Sequence, residues 1–182
     1  MKYTRMQGEV NDSIDTHKTK WFNTIITKVQ NKIFLDMNSN IDYHICDPFA
    51  RNCLLANEYS NDMNKDTKAR YNMDAIDFLK MCPDEYFDLV IFDPPFSEVQ
   101  AERKYNEASN IYTIPNYVPT CMKEIQRILI PGGYFLKFGY NTNSCHTDFE
   151  LCHIWNIHFA GNKNDVLVSL WQMNQTNLKE WI

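Results

Sequence analysis

Residues 87–97 read FDLVIFDPPFS, a stretch in which an apolar run passes directly into an acid, two prolines and an aromatic ring. Val90, Ile91 and Phe92 form the continuous apolar run that is typical of a strand buried in a parallel sheet. Tandem prolines cannot donate to a sheet ladder, so the strand is predicted to stop at Asp93. In open α/β sheets ligands bind just beyond the carboxyl ends of the strands, which makes this corner a candidate active site.

The length and composition of the chain predict one domain. Its 182 residues, 44% of them hydrophobic, can bury one full core and leave nothing for a second domain of ordinary size. We therefore expect one domain over residues 1–182, with no separate target-recognition domain. The net charge of −5 argues against a protein that holds nucleic acid by bulk positive charge, because phosphate binding needs a basic face. Any nucleic-acid contact is expected to be local.

The cysteines and the N-terminal residues indicate the compartment. The six cysteines include no Cys-x-x-Cys pair, and no N-terminal apolar segment resembles a signal peptide or a membrane span. These features favour a reducing cytoplasm and no membrane association. Cysteine is followed directly by histidine at residues 145–146 and 152–153, but the spacing of these pairs matches no common zinc-binding pattern. No metal site is predicted.

Hydrophobic spacing predicts alternating strands and helices after a polar N-terminal arm at residues 1–16. Apolar residues at helical spacing predict helices over residues 21–34, 74–81 and 117–129, the last of them ended by the Pro-Gly-Gly sequence at 131–133. Strands are predicted over residues 43–49, 59–64, 87–92, 134–138, 149–158 and 166–173. The last two strands are expected to form an antiparallel hairpin, because a turn-rich segment joins them.

This order of elements and motifs resembles the class I S-adenosylmethionine-dependent methyltransferases that act on exocyclic amino groups. More narrowly, the chain is similar to the short adenine-specific DNA methylases of phages and mobile elements. The resemblance implies a Rossmann-like α/β fold, with a mostly parallel twisted sheet and a C-terminal antiparallel hairpin. It rests on THKTK at 16–20, DPFARNC at 47–53, NDMN at 61–64, NMDA at 72–75 with FL at 78–79, and DPPF at 93–96 with PGG at 131–133.

The resemblance implies that S-adenosylmethionine binds along the carboxyl edge of the sheet. In the family, a segment like Asp47-Pro48-Phe49 forms the wall around the methionine part of the cofactor. Alternatively, Asp47 only ends a strand or caps a helix. Thr19 and Lys20 resemble the segment that closes over the methionyl end, although a lysine in a polar arm is more often simply solvated.

Two further acids match positions at which the family binds the cofactor. Asp62 lies where an acid accepts hydrogen bonds from the ribose hydroxyls, and a solvated turn residue is an equally good interpretation. Asp74, followed by Ala75, lies where an acid accepts from the adenine amino group. Asp74 could also be the N-cap of the following helix, and the two roles can coexist.

The candidate substrate contacts are local cations and an aromatic residue near the catalytic corner. Many relatives have a Gly-Ser-Gly turn where this chain has RNC at residues 51–53, and Asp-Pro-Phe-Ala-Arg is a recurring variant in short phage-type members. Arg51 is therefore expected near the substrate strand. Arg103, Lys104 and Tyr105 lie in an irregular loop that is either a nucleic-acid contact or a flexible surface lid.

The resemblance also gives the Asp93 corner a chemical role. An exocyclic amine is a poor nucleophile because its lone pair is delocalised into the ring. Asp93 and the Pro94 carbonyl can each accept one amino hydrogen, which steers the lone pair toward the sulfonium methyl. Pro95 fixes the extended exit and Phe96 stacks on the base, which must leave the duplex at a cost on the order of a few kcal/mol.

Three functions from different classes remain open at this point. The favoured one is adenine N6 methylation of DNA, with RNA the less favoured partner. The second is another amino-directed methyltransferase, acting on guanine N2 in RNA or on a protein glutamine. The third is a non-catalytic module with a cofactor-binding fold. A homodimer or a recognition partner could supply the surface that a short, acidic chain lacks.

Overall fold

The fold was analysed in a computed structural model that describes residues 1–8, 15–37, 43–98, 101, 110–140, 145, 147–160 and 164–175. The strands are β1 (Lys2–Gln7), β2 (Ile45–Cys46), β3 (Phe87–Phe92), β4 (Leu129–Tyr140), β5 (Phe149–His158) and β6 (Val166–Met173). The helices are α1 (Lys20–Met37), α2 (Ala75–Met81), α3 (Asn110–Thr113) and α4 (Tyr117–Ile128), and 3-10 turns occur at Thr16–Lys18 and Asn57–Tyr59.

The six strands form one mixed sheet in the order β1-β5-β6-β4-β3-β2. Strands β2, β3 and β4 are mutually parallel, and β6 runs antiparallel between β4 and β5. Beyond β2, the chain adds two single parallel bridges, between Asp47 and Ser60 and between Asn61 and Tyr71. The carboxyl ends of β2 and β3 consequently lie side by side, which brings the two predicted acid-proline corners to the same edge of the sheet.

Strand β3 separates two hydrophobic layers because side chains alternate along a strand. Leu89 and Ile91 belong to the cluster that contains α1, whereas Val90 and Phe92 belong to the cluster that contains α2 and α4. All four are almost fully buried. Burying one side chain of this size contributes about 1.5–3 kcal/mol, so both layers hold β3 firmly at the centre of the fold.

The predicted helices and the C-terminal hairpin are confirmed. Helix α1 buries one stripe at helical spacing, including Ile25, Val29 and Ile33. Helix α2 begins after Asp74, whose carboxylate accepts a hydrogen bond from the Ile76 backbone N–H as a helix N-cap does. Strands β5 and β6 pair antiparallel from the pair of Phe149 and Met173 to the pair of Ile157 and Val166, with one register shift between Leu151 and His153.

The prediction of a polar N-terminal arm over residues 1–16 is wrong for residues 2–7, because these residues form strand β1. Strand β1 pairs in parallel with β5, with Lys2 opposite His153 and Gln7 opposite His158. It lies at the edge of the sheet, where Thr4 and Met6 are partly buried and the other side chains are exposed. An edge strand needs few apolar residues, so its sequence looks like a solvated arm.

The Pro-Gly-Gly sequence also has a different structural role from the predicted one. Helix α4 ends at Ile128, and Pro131-Gly132-Gly133 lies inside β4, where the register with β3 shifts. Gly132 has a φ of +82°, a conformation that glycine adopts without steric cost. These residues therefore form an irregularity in a strand that begins earlier than expected.

The first two predicted strands are shorter than expected. Regular pairing in residues 43–49 is limited to Ile45–Cys46, and the segment 59–64 contributes only the bridges at Ser60 and Asn61. Isolated backbone hydrogen bonds, such as the one of 3.0 Å from the Asp47 N–H to the Tyr59 carbonyl, and the side-chain bonds of Asn61 hold this part of the chain in place of a continuous ladder. None of the helices in the described part of the chain combines the length and apolar character that a membrane span needs.

Candidate functional site

Two cavities at the carboxyl edge of the sheet share the side chain of Phe49. The first is here called the acidic cleft, and the second, which is smaller, is here called the small cavity. The acidic cleft is lined by Asp15, Thr16, His17, Phe22, Asp47, Phe49, Ala50, Arg51, Cys53, Ile91, Asp93 and Pro95. The small cavity is lined by Pro48, Phe49, Asn61, Met63, Met73, Ala75 and Tyr117.

Asp47 and Asp93 follow adjacent parallel strands and both line the acidic cleft. The Asp47 side chain is 3% exposed, and its Oδ1 accepts a hydrogen bond of 3.0 Å from the Phe49 backbone N–H. Burial raises the pKa of Asp47 well above its ordinary value. The hydrogen bond from the Phe49 backbone N–H lowers this pKa in part, and the carboxylates of Asp93 and Asp62 raise it. The cleft therefore favours a cationic ligand that would offset this repulsion.

The Asp93 corner is braced from two sides. The Tyr112 hydroxyl in α3 donates a hydrogen bond of 2.7 Å to the Pro95 carbonyl. The Phe96 ring packs edge-on against Tyr140 at the end of β4, with the ring centroids 4.7 Å apart. Residues 94–95 are buried, whereas Phe96 keeps part of its surface exposed. The corner is thus a supported turn in which Asp93 and Pro95 line the acidic cleft, whereas Pro94 and Phe96 are not among the residues that line it.

Phe49 forms the partition between the two cavities. Its ring packs edge-on against Phe92 of β3, with a centroid separation of 5.3 Å and an interplanar angle of 85°. Pro48 before it is buried and lines the small cavity. The predicted Asp-Pro-Phe wall is therefore at the carboxyl edge, with its acid on one cavity and its proline on the other.

Asp74 and Ala75 lie beside the small cavity, where α2 meets α4. The Asp74 Oδ2 accepts a hydrogen bond of 2.9 Å from the Tyr117 hydroxyl, and Tyr117 and Ala75 line the cavity. Burial raises the pKa of Tyr117, and the adjacent Asp74 carboxylate raises it further. The N-cap role of Asp74 is observed, and its binding of an adenine amino group stays a prediction.

Asn61 is a residue of this site that the sequence reasoning did not single out. It is fully buried, and its Nδ2 donates to the carbonyls of Pro48 and Met73 at 3.1 Å. Its Oδ1 accepts from the Met73 backbone N–H at 3.1 Å. These bonds join two walls of the small cavity. The only sequence signal was an asparagine in the NDMN segment, directly before a predicted acid.

Asp62 is fully buried and organises the loops behind the cleft. Its Oδ2 accepts from the Arg51 backbone N–H at 3.2 Å, and its Oδ1 accepts from the Asn64 backbone N–H at 2.9 Å. Asp62 is not among the residues that line the two cavities described above. Its predicted contact with ribose hydroxyls stays a prediction.

The N-terminal segment that was matched to the family reaches the acidic cleft through residues just before Thr19 and Lys20. Thr19 is buried, and its Oγ1 accepts from the Phe22 backbone N–H as a cap of α1, while Lys20 is exposed. Thr16 and His17 line the cleft instead. The THKTK pattern marked the correct segment, but which residues face the cleft depends on the 3-10 turn that precedes α1.

Arg51 is the only one of the four predicted substrate contacts that the structure describes. It lines the acidic cleft and has a φ of +49°, the left-handed region in which glycine is favoured. Arg51 therefore adopts a backbone conformation that is more common for glycine. Arg103, Lys104 and Tyr105 lie outside the described residues.

The chemistry that the cleft offers is limited by its titrating groups. Burial raises the pKa of Cys53 to about 12, with a further contribution from Asp47, so this thiol stays protonated near neutral pH. Burial also lowers the pKa of His17. Within the described ranges, no group of three or more His, Cys, Asp or Glu side chains is arranged to hold a metal ion. The cleft thus provides hydrogen-bond acceptors and charge rather than a strong nucleophile.

Comparison with known proteins identifies the fold. No protein-family profile and no curated protein matches the sequence. Among solved structures, the chain is similar to the "putative methylase HI0767 from Haemophilus influenzae", with a TM-score of 0.53, 15% identity, and coverage of 84% of this chain and 98% of that one. The "putative methyltransferase yhhF from Escherichia coli" has a TM-score of 0.49, 16% identity, and coverage of 81% and 86%. The predicted Rossmann-like fold is confirmed.

Proposed function

We propose that this chain is an S-adenosylmethionine-dependent methyltransferase that methylates the N6 amino group of adenine in DNA. The observation that carries the proposal is the position of Asp47 and Asp93 on one cleft, joined through Phe49 to a second cavity. An elongated ligand with a cationic, polar end and a flat nucleoside end matches this pair of cavities. The names of the two structural neighbours agree with this enzyme class.

The residues present fit the cofactor on chemical grounds. The small cavity combines apolar walls from Met63 and Met73 with the Tyr117–Asp74 hydrogen bond, which suits a planar base with an amino group. The acidic cleft suits the methionyl end and the sulfonium, because Asp47 and Asp93 favour positive charge there. When bound, the cofactor supplies an electrophilic methyl group.

The protein's part in methyl transfer is to orient the amine. In this proposal Asp93 and the Pro94 carbonyl each accept one hydrogen of the amino group, which directs its lone pair toward the cleft. The Tyr112 hydroxyl binds the Pro95 carbonyl. This contact restrains the turn that also carries the Pro94 carbonyl. Phe96, supported by Tyr140, stacks on the extruded base.

DNA is proposed as the partner because the corner suits a flipped base and because the closest motif resemblance is to adenine-specific DNA methylases. The net charge of −5 implies few phosphate contacts. We therefore propose weak affinity for duplex DNA, a shallow salt dependence, a short or relaxed recognition sequence, and a contribution from a second copy or a recognition partner.

The decisive experiment is product analysis after incubation with labelled cofactor and DNA, RNA or protein. N6-methyladenine in DNA, strongly reduced in a reaction with Asp93→Ala, is the expected result. N2-methylguanine in RNA or methylated glutamine in protein would retain the mechanism and replace the substrate. A chain that neither transfers methyl groups nor binds the cofactor in calorimetry would contradict the proposal.

A further inference from the structure

Asp15 and Arg51 approach each other across the acidic cleft from opposite walls. Asp15 precedes the 3-10 turn before α1, whereas Arg51 lies in the loop after β2. The Asp15 Oδ1 and the Arg51 Nη1 are 3.9 Å apart, which brings the charges together but exceeds a hydrogen-bond distance. Both side chains line the cleft, and they are mostly buried, with 11% and 23% of their surface exposed.

The two oxygens of Asp15 have different surroundings. Oδ2 forms an ion pair of 2.6 Å with the Lys18 ammonium. Oδ1 is buried and has no hydrogen-bond partner among the residues that the structure describes. A buried carboxylate oxygen without a donor carries a desolvation cost, and a ligand that brings a donor to it removes that cost. Oδ1 is therefore prepared for a cationic or N–H-bearing group.

Arg51 is held so that its side chain reaches the same place. Its backbone N–H donates to the buried Asp62 carboxylate, which fixes the turn. Its φ of +49° is unfavourable for a residue with a side chain, and the surrounding contacts hold the backbone in this conformation. A guanidinium has five donors in a planar fork, so Arg51 can hold an additional carboxylate while it stays beside Asp15.

We propose that Asp15 and Arg51 form a clamp for the α-amino acid end of the cofactor, with Asp15 Oδ1 accepting from the ammonium and Arg51 donating to the carboxylate. This inference rests on the proposed function, because it assigns the methionyl end to the acidic cleft. It also moves Arg51 from the substrate strand to the cofactor. The four groups form a closed ring in which negative and positive charges alternate.

The electrostatics of the cleft agree with this arrangement. Burial by itself raises the pKa of Asp15, but the Lys18 hydrogen bond and the charges of Arg51 and Lys18 outweigh it and hold the pKa below the ordinary value. Asp15 is thus ionised at neutral pH and able to bind an ammonium group. Because burial lowers the pKa of His17, that neighbour adds no competing positive charge at neutral pH.

The test compares binding of four nucleosides in two pairs: S-adenosylmethionine with its decarboxylated form, which share the sulfonium, and S-adenosylhomocysteine with 5′-methylthioadenosine, which share the neutral thioether. Within each pair the ligands differ in the amino acid end. Calorimetry is carried out with S-adenosylmethionine, S-adenosylhomocysteine, decarboxylated S-adenosylmethionine and 5′-methylthioadenosine, on the parent chain, Asp15→Asn and Arg51→Gly. Glycine suits the positive φ at position 51, so Arg51→Gly removes the side chain without adding strain to the turn. Asp66→Asn and Arg70→Gln are charge-matched controls at exposed positions outside the cleft.

Each variant is expected to weaken the binding only of ligands that carry the group its side chain contacts. This group is the ammonium for Asp15 and the carboxylate for Arg51. Asp15→Asn and Arg51→Gly should each reduce the affinity for S-adenosylhomocysteine roughly tenfold to a hundredfold, as expected for one charge-assisted hydrogen bond. Arg51→Gly should leave decarboxylated S-adenosylmethionine unaffected, and neither variant should change the affinity for 5′-methylthioadenosine. The control variants should bind all four ligands as the parent does.

Three outcomes would overturn the clamp. Parent-like affinity of both variants for S-adenosylhomocysteine would show that neither side chain holds the amino acid end. An equal loss for 5′-methylthioadenosine would show that the substitutions act on the shape of the cleft. Absence of binding of every ligand to the parent chain would overturn the proposed function together with the clamp, whereas the first two outcomes leave the proposed function in place.

Discussion

The Tyr112 hydroxyl donates a hydrogen bond of 2.7 Å to the carbonyl oxygen of Pro95, which ties α3 to the turn after β3. Burial raises the pKa of Tyr112, and the charges of Glu98 and Tyr140 raise it further, so the hydroxyl remains a donor at neutral pH. The bond constrains the carbonyl of Pro95, which is next in the chain to Pro94. The Pro94 carbonyl is a proposed acceptor of the amine. This hydrogen bond therefore lets Tyr112, which lies outside the DPPF sequence at 93–96, influence the geometry of that sequence.

Tyr112→Phe is expected to slow methyl transfer without weakening cofactor binding. The substitution removes one hydrogen bond worth about 0.5–1.5 kcal/mol, which corresponds to a decrease in kcat of roughly twofold to tenfold if the bond acts on the transition state. Single-turnover transfer of a labelled methyl group measures the effect. Tyr3→Phe, at an exposed tyrosine of β1, is the matched control. Unchanged single-turnover rates in Tyr112→Phe would show that the turn is rigid without this bond.

Asp93→Ala is expected to lower methyl transfer by roughly two to three orders of magnitude, with little change in the affinity for S-adenosylhomocysteine, which lacks the sulfonium charge. The reason is that Asp93 accepts a hydrogen of the amine, a contact that matters most when the lone pair is being directed at the methyl group. Phe96→Ala should also reduce turnover, whereas Phe96→Trp keeps a stacking face. Steady-state kinetics with calorimetry separates the two effects, and near-normal turnover of Asp93→Ala would refute the mechanism.

Asp74 gives a prediction that separates stability from binding. Asp74→Ala should lose the N-cap of α2, at a cost of about 1 kcal/mol in the free energy of unfolding, and should weaken cofactor binding by about 1–3 kcal/mol. Asp74→Ser should keep the N-cap and lose only the binding, because serine caps helices but offers no carboxylate to an amino group. Urea denaturation and calorimetry measure the two quantities. Equal cofactor affinity of Asp74→Ser and the parent would contradict the adenine contact.

The raised pKa of Asp47 predicts a pH dependence of stability with a definite sign. Between the ordinary value of 3.8 and the raised native value, the folded chain retains a proton that the unfolded chain releases, so the free energy of unfolding falls as pH rises through this window. Asp47→Asn removes this contribution while its Oδ1 can still accept from the Phe49 backbone N–H.

Denaturant unfolding of the parent and of Asp47→Asn across pH 4 to 8 tests this prediction. The variant should gain stability relative to the parent as pH rises, by up to about 1.4 kcal/mol per pH unit for one proton. The exposed Asp66→Asn should follow the parent at each pH. A constant difference between Asp47→Asn and the parent over the whole range would mean that Asp47 is ionised in both states.

Charge reversal at Arg103 and Lys104, which lie outside the described residues, should lower DNA methylation and spare cofactor binding. Phosphate contacts position a nucleic acid and do not build a nucleoside pocket. Methylation assays over a series of salt concentrations, with cofactor calorimetry alongside, measure both effects. If the double variant methylates DNA as the parent does at every salt concentration, the nucleic-acid surface lies elsewhere.

The sequence by itself determined the elements whose patterns are complete within a short window. The apolar run 87–92 predicted β3, helical spacing predicted α1, and the acid before an apolar helix predicted the N-cap at Asp74. The two acid-proline corners were placed at the ends of strands. Each of these features depends on residues adjacent in the chain or one helical turn apart, so local patterning is sufficient to reveal them.

Only the tertiary structure decided which polar residues enter the cleft and which support it. Strand β1 looks like a solvated arm because its partner β5 lies far away in the sequence. Asp62 and Asn61 are neighbours in one segment, yet Asp62 holds loop backbones while Asn61 joins the walls of the small cavity. Asp15 reaches Arg51 only because a turn before α1 folds over the loop after β2. Such contacts join distant segments, and no local pattern encodes them.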